Sequence, residues 1–243
     1  MTRLARLLRT VAVTALGGSL LYAVPAPASA LVAIPAVGDC HLLTGADVQE
    51  TSDTKPKVEC STAHTSVTVA VLTMPEGFVW SDDAVYQKVG VACTKALDAT
   101  LGRTAQARAM SAYSWTYFSP TVEERDSGAS WVRCDAILWG RTNLRAIPDA
   151  APLLEMPLTD KTWACLTGKP FNLTVCAVRH AFRASGVVAM KFKTYPSKSK
   201  VQRLADAKCP WRVKSDSWRY VYPGRTSWKA GHRLLVCYTK TVA

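Results

Sequence analysis

Cys60-Ser61-Thr62-Ala63-His64 and Cys176-Ala177-Val178-Arg179-His180 share one pattern, a cysteine with a histidine four positions on, and they stand 176 − 60 = 116 residues apart. The same offset carries Val85 onto Val201 and Cys93 onto Cys209, so the gap from the first to the second of these cysteines is 33 residues in both halves. Further along the offset falls to 103. Ser114-Trp115-Thr116-Tyr117 then meets Ser217-Trp218-Arg219-Tyr220, Pro120 meets Pro223, Gly128 meets Gly231 and Cys134 meets Cys237. The chain is a duplicated module whose second copy has a loop 116 − 103 = 13 residues shorter. His64 and His180 mark the repeat.

Outward from that stretch, Val67, Val69 and Val71 alternate with Ser66 and Thr68, the two-residue period of a half-buried strand. Asp39 to Cys60 reads as loop or hairpin with a strand at Lys57 to Cys60. Ser81 is an N-cap, Asp82 and Asp83 suit the positive end of a helix, and Val85, Val89, Ala92, Cys93 and Ala96 follow at helical spacing up to Gly102. Gly102 to Met110 is the loop that the second copy lacks. Ala112 to Ser119 and Trp131 to Trp139 are strands, with Glu123 to Gly128 a charged turn between them. On the last strand Val132, Cys134, Ala136 and Leu138 face one way and Arg133 and Asp135 the other. The second copy repeats the scheme with strands near Thr162 to Cys165, Leu173 to Val178, Ala184 to Lys193, Trp218 to Tyr222 and Arg233 to Tyr238, and a shorter helix from about Lys200 to Lys208. This predicts an α+β fold of two tandem modules, each a small, mostly antiparallel sheet with one helix, stapled by disulfides.

The boundaries expected are a signal peptide over 1–30, a first module over 31–145, a linker over 146–160 carrying Pro148, Pro152 and Pro157, and a second, divergent module over 161–243. Arg3, Arg6 and Arg9, the uncharged run Val11 to Val24 and the small-x-small site Ala28-Ser29-Ala30 make the secretory signal. No charge falls between Thr10 and Gly38, so an uncleaved membrane anchor is the alternative. The expected location is extracytoplasmic, secreted or envelope-associated.

All eight cysteines follow the signal, an even number in an exported chain, which favours disulfides over thiol chemistry. If each half closes on itself in the same way, three pairings remain. A helix cysteine and a last-strand cysteine that both point inward are the best-placed pair. The expectation is therefore Cys93 with Cys134 and Cys40 with Cys60, and in the second half Cys209 with Cys237 and Cys165 with Cys176.

Cysteine and histidine are zinc ligands, but oxidised cysteines leave no thiolate, and no compact second pair completes four ligands. No metal and no cofactor are expected. The two histidines are read as satisfying backbone groups beside the disulfide or meeting a partner. No G-x-S-x-G, H-E-x-x-H or phosphate-binding glycine loop occurs, so no catalytic residue is assigned. Glu123 and Glu124 are the nearest thing to a carboxylate pair, and adjacent acids in a turn are ordinarily solvated.

Charge divides the chain. Leu31 to Arg145 holds 10 Lys and Arg against 13 Asp and Glu, a net of −3, whereas Ala146 onward holds 17 against 5, a net of +12. Lys191, Lys193, Lys198, Lys200, Arg203, Lys208, Arg212, Lys214, Arg219, Arg225, Lys229 and Arg233 form the basic series. A field of that size attracts anionic polymers or headgroups, nucleic acid being disfavoured by export. The strand aromatics Trp115, Tyr117, Trp218 and Tyr220 read as core. Lys191, Lys193, Lys198 and Lys200, with Trp211 and Trp228, which the first module does not share, are the binding candidates.

Gly38-Asp39-Cys40, Val58-Glu59-Cys60 with His64-Thr65, the helix Cys93, Pro120-Thr121 and Gly128-x-x-Trp131-x-Arg133-Cys134 together resemble the septum-formation domain of actinobacterial envelope proteins. The resemblance covers nearly all of the first module. In the second, Cys176, His180, Cys209, Tyr222-Pro223, Trp228-x-x-Gly231 and Arg233 to Cys237 continue it, while Trp163-Ala164-Cys165 replaces the Gly-Asp-Cys start and Ala181 follows His180. It implies an exported, disulfide-bonded, non-enzymatic envelope domain connected with septation or cell division, and supplies no catalytic residues. The function expected is a tandem-module binding or structural protein whose second module takes an anionic envelope component, a wall polymer or acidic lipid, or an envelope protein. The alternative is a secreted hydrolase acting on wall polymer.

Overall fold

The computed structural model describes residues 34–241; the signal segment lies outside the described residues. The first half contains β1 (Cys40–His41), β2 (Ser66–Thr73), α1 (Asp82–Leu101), α2 (Ala105–Ala109), β3 (Tyr113–Phe118), α3 (Val122–Asp126), β4 (Trp131–Gly140) and β5 (Asn143–Leu144). The second contains β6 (Ala164–Leu166), β7 (Leu173–Val175), β8 (Phe182–Ala189), α4 (Lys198–Lys208), β9 (Trp218–Val221), α5 (Arg225–Lys229) and β10 (Leu234–Lys240). The architecture is α+β, with two antiparallel sheets ordered β1-β2-β4-β3, with β5 on β4, and β7-β6-β8-β10-β9.

Several positions that the two offsets relate occupy like places in the two sheets. Cys40 of β1 stands opposite Val67, and Cys165 of β6 stands opposite Arg183, which is Val67 moved on by the same 116 residues. The Trp115 and Tyr117 rings lie 6.4 Å apart at 43°, as do those of Trp218 and Tyr220. Four disulfides close Cys40–Cys60, Cys93–Cys134, Cys165–Cys176 and Cys209–Cys237, the pairs expected from the equal gaps and inward positions.

Helix α1 follows its sequence signals. Ser81 accepts from the Ala84 N–H at 3.3 Å, Val85, Val89, Cys93, Leu97 and Leu101 make its buried stripe, and Gly102 ends it at φ 62°. Three expectations need correction. The charged turn at 123–128 is the one-turn helix α3, because Thr121 and Glu124 form a reciprocal capping box. Lys57 to Cys60 makes only a single bridge, Val58 to Cys40, instead of a strand. The proline-bearing 146–160 segment, expected to carry little core, buries Ile147, Leu153 and Leu154. Leu153 donates its N–H to the Thr100 carbonyl and accepts from the Tyr113 hydroxyl at 3.0 Å, so the prolines shape a packed strap.

The halves are docked on each other. Ala112 donates to Thr162 O and Ala164 donates to Met110 O, stitching the start of β3 to β6. A Cβ on Gly90 of α1 would stand 2.6 Å from Thr226 Cγ2 of α5, so the glycine permits the close helix approach. Among the described residues no helix is long and apolar enough to cross a membrane. Four disulfides with no free cysteine fit an oxidising, extracytoplasmic setting.

Candidate functional site

Past the end of β8 the chain turns over α4 and leaves a groove of about 550 Å³, open to solvent and lined by Val188, Ala189, Lys191, Phe192, Leu204, Lys208, Trp211 and Arg212. The fold builds it in three steps. Cys209 at the end of α4 is tied to Cys237 of β10, an interior strand between β8 and β9, which fixes the helix end over the sheet. Arg212 then lies across Gly186, whose missing side chain leaves room for the arginine stem: a Cβ there would meet its Cβ, Cγ and Cδ at 3.2–3.3 Å. The guanidinium is held by donating to Val187 O and Lys208 O, both at 2.9 Å. Trp211, one residue earlier, is thereby pushed outward and is 86 % exposed. Three cations, an exposed indole and no carboxylate line this groove. Such a surface can take a negative charge on its cations and an apolar or ring face on Trp211.

Of the residues singled out in the sequence, Lys191 and Trp211 meet in this groove, joined by Lys208 and Arg212 of the basic series and by Phe192. Lys193, Lys198 and Lys200 are exposed but do not line it. Trp228 is a correction. It is buried beneath the Arg233 guanidinium, 3.7 Å from the ring centroid, with Tyr195 edge-on at 5.7 Å, so it supports the core and offers no recognition face.

His64 and His180 do the same local work. Each Nδ1 lies 2.8 Å from the carbonyl two residues back, Thr62 and Val178, and His64 Nε2 reaches the Pro148 carbonyl at 3.2 Å. A ligand atom of His180 lies within 4.8 Å of the Cys165 and Cys176 sulfurs, but those sulfurs are bonded to each other and offer no thiolate. Glu124, weighed with Glu123 as an acid–base pair, is engaged by the Thr121 N–H in the α3 cap.

Two features lay beyond the sequence reading. The first is a buried ionic set behind the first sheet. Asp135 accepts from the Ser66 and Thr68 hydroxyls at 3.0 and 2.9 Å, and Arg133 sits with Nε 3.2 Å from Asp135 and Nη2 on Asp53. His41 lies beside them, 3.7 Å from Asp53, with neither ring nitrogen hydrogen-bonded. Burial, and then the nearby Arg133 charge, push its pKa below the ordinary value. The second is a cleft of about 610 Å³ between the halves. His232 Nε2 and Arg108 Nε there hold the two oxygens of Asp98 at 2.7 and 3.0 Å. The sequence signal was available as a difference between the copies. The repeat offsets put Lys214 opposite Asp98 and Ala129 opposite His232, and Arg108 belongs to the inserted stretch.

No family model, no curated protein and no solved structure matches this chain.

Proposed function

We propose that this protein is an exported, non-enzymatic binding protein of the cell envelope, and that its second half holds an anionic wall polymer in the groove between Lys191 and Trp211. The observation that carries the reading is Trp211, 86 % exposed beside Lys191, Lys208 and Arg212 in a groove without a carboxylate. An indole that size gains nothing for the fold by facing water, and exposed cations gain little from one another. Together they suit a chain of rings bearing negative charge.

The start of α4 supports the same reading. α1 opens with Asp82 and Asp83, which complement the positive end of the helix dipole, whereas α4 opens with Lys198 and Lys200 and no acid in its first turn. That choice opposes the dipole and strengthens a positive field. The resemblance of the first half to the septum-formation family is the support for an envelope role connected with division.

The test is co-sedimentation of residues 31–243 with polygalacturonate-coated beads, with neutral dextran beads, and with phosphatidylglycerol vesicles across a salt series. Binding to the polyanion beads is expected at low salt and should fall steeply once the Debye length drops below about 10 Å. Trp211→Ala should weaken it by about tenfold or more. Binding indifferent to salt and to Trp211→Ala, or none at low salt, overturns the proposal; preference for the vesicles moves the partner to acidic lipid.

A further inference from the structure

We infer that the cleft between the halves is a second binding site, for a single-chain amphiphile with a carboxylate head. It goes beyond the polymer reading and shares no residue with the basic groove. The cleft exists because of the stretch that breaks the repeat. On the stretch the second copy lacks, Ala109 of α2 and Met110 just after it pack against the back of the second sheet. In the first sheet the corresponding face is filled from its own half, by Leu43, Val48, Phe118, Ile137 and Leu144. In the second it stays open into a space of about 610 Å³, within the size range of small-molecule sites.

The walls and the charged group are segregated as an amphiphile requires. Leu97 and Leu101 of α1, Trp115 of β3, and Phe171, Leu173 and Val236 of the second half all line the space. These apolar surfaces come from both halves, so the cleft is more than the seam of one core. The charged lining is Asp98, Arg108, His232 and Arg233. Asp98 is the one carboxylate lining the cleft, and both of its oxygens are engaged. Arg108 also donates through Nη1 to the carbonyls of Gly102 and Arg103 at the end of α1, which fixes the guanidinium in the lining of the cleft. Arg233 is fixed by its stacking on Trp228. One acid against two arginines leaves the charged lining net positive, which suits an anionic head. With Nε on Asp98 and Nη1 on the two carbonyls, Arg108 keeps Nη2 as a charge-assisted donor for a carboxylate. His232 Nδ1, which makes no hydrogen bond among the described residues, is a further group for the head.

The experiment is calorimetric titration of residues 31–243 with dodecanoate at high salt, where attraction to exposed cations is screened. Dodecanol and dodecyl phosphate are titrated in parallel. Dodecanoate should bind saturably, one per chain, and dodecanol about tenfold more weakly, since the alcohol forgoes a charge-assisted hydrogen bond. Val221→Trp, which places an indole at the exposed rim of the cleft, should abolish binding with the melting temperature retained. Arg108→Gln should bring dodecanoate down to the affinity of dodecanol. The inference is overturned if wild type shows no saturable binding, if dodecanol binds as tightly as dodecanoate, or if Val221→Trp binds unchanged. Dodecyl phosphate binding more tightly than dodecanoate overturns the carboxylate assignment. Because the groove and the cleft share no residue, failure of the polymer test leaves this one intact, and the reverse.

Discussion

On the face of the first sheet turned away from α1, Ser66 and Thr68 of β2 stand beside Arg133 and Asp135 of β4, all buried and closed by Asp53 and His41. The same offsets place Phe182, Ala184, Val236 and Tyr238 on the corresponding face of the second sheet, also buried. One duplicated frame therefore carries an ionic back in one copy and an apolar back in the other. The other face, under α1 or α4, keeps the same apolar chemistry and the same helix-to-strand disulfide. The sheet ladder and the staple specify the fold. The back is free to differ, with a buried charge set behind one sheet and an apolar set behind the other.

Breaking the ionic back should give the largest effect. Arg133→Met leaves Asp53 and Asp135 buried without their cation, and should cost about 3–5 kcal/mol in urea unfolding. A loss under about 1 kcal/mol would mean that the set is solvated and the comparison false. Next is the docking of the halves. Gly90→Ala drives a methyl into Thr226 and should cost about 1–3 kcal/mol, with the Asp98–His232 contact disturbed as well; an unchanged melt would show that the halves are not packed at α1 and α5.

A smaller effect follows from His41, whose repeat partner after Cys165 is Leu166. Because the folded-state pKa is lowered from 6.5, both states are neutral above that pH and the residue gives no pH dependence there. As pH falls below it the unfolded chain takes the proton first, so stability declines. The surrounding charges are Arg133, which opposes protonation, and Asp135, Asp53 and Asp39, which favour it without prevailing. His41→Leu, copying the second half, should flatten the stability profile between about pH 7 and 5. An equally steep profile would place the acid sensitivity elsewhere. Smallest is the helix-start contrast. Lys198→Asp with Lys200→Asp gives α4 the acidic opening of α1 and should raise stability by about 0.5 kcal/mol per change while lowering polymer binding. A variant that is both less stable and fully binding would remove the argument from the α4 charges.

Much of the molecule was legible along the chain. Two offsets relate the halves of the chain, Ser81 and Gly102 bound α1, the inward helix and last-strand cysteines pick the disulfides from the three pairings the repeat allows, and the charge count assigns the basicity to the second half. These are local or repeated signals, and a local signal survives whatever packs against it. The alternation on β4 gives two faces, with Arg133 and Asp135 opposite Cys134, but not what covers the polar one. Whether such a face meets water is settled by segments distant in sequence, here Asp53 and the stretch around Leu43 and Val48. The proline-bearing strap was misjudged for the same reason, since composition does not show that Leu153 and Leu154 find a wall in α1. Trp211 and Trp228 were alike as letters and lie at opposite extremes of exposure, because one follows a disulfide-pinned helix end and the other sits under Arg233 and Tyr195. The cleft was least legible. Asp98, Arg108 and His232 come from three separate stretches and share no spacing, and only the docking of the two halves makes them neighbours. Periodicity along a chain records which residues want to be buried; what they are buried against is a property of the assembled molecule.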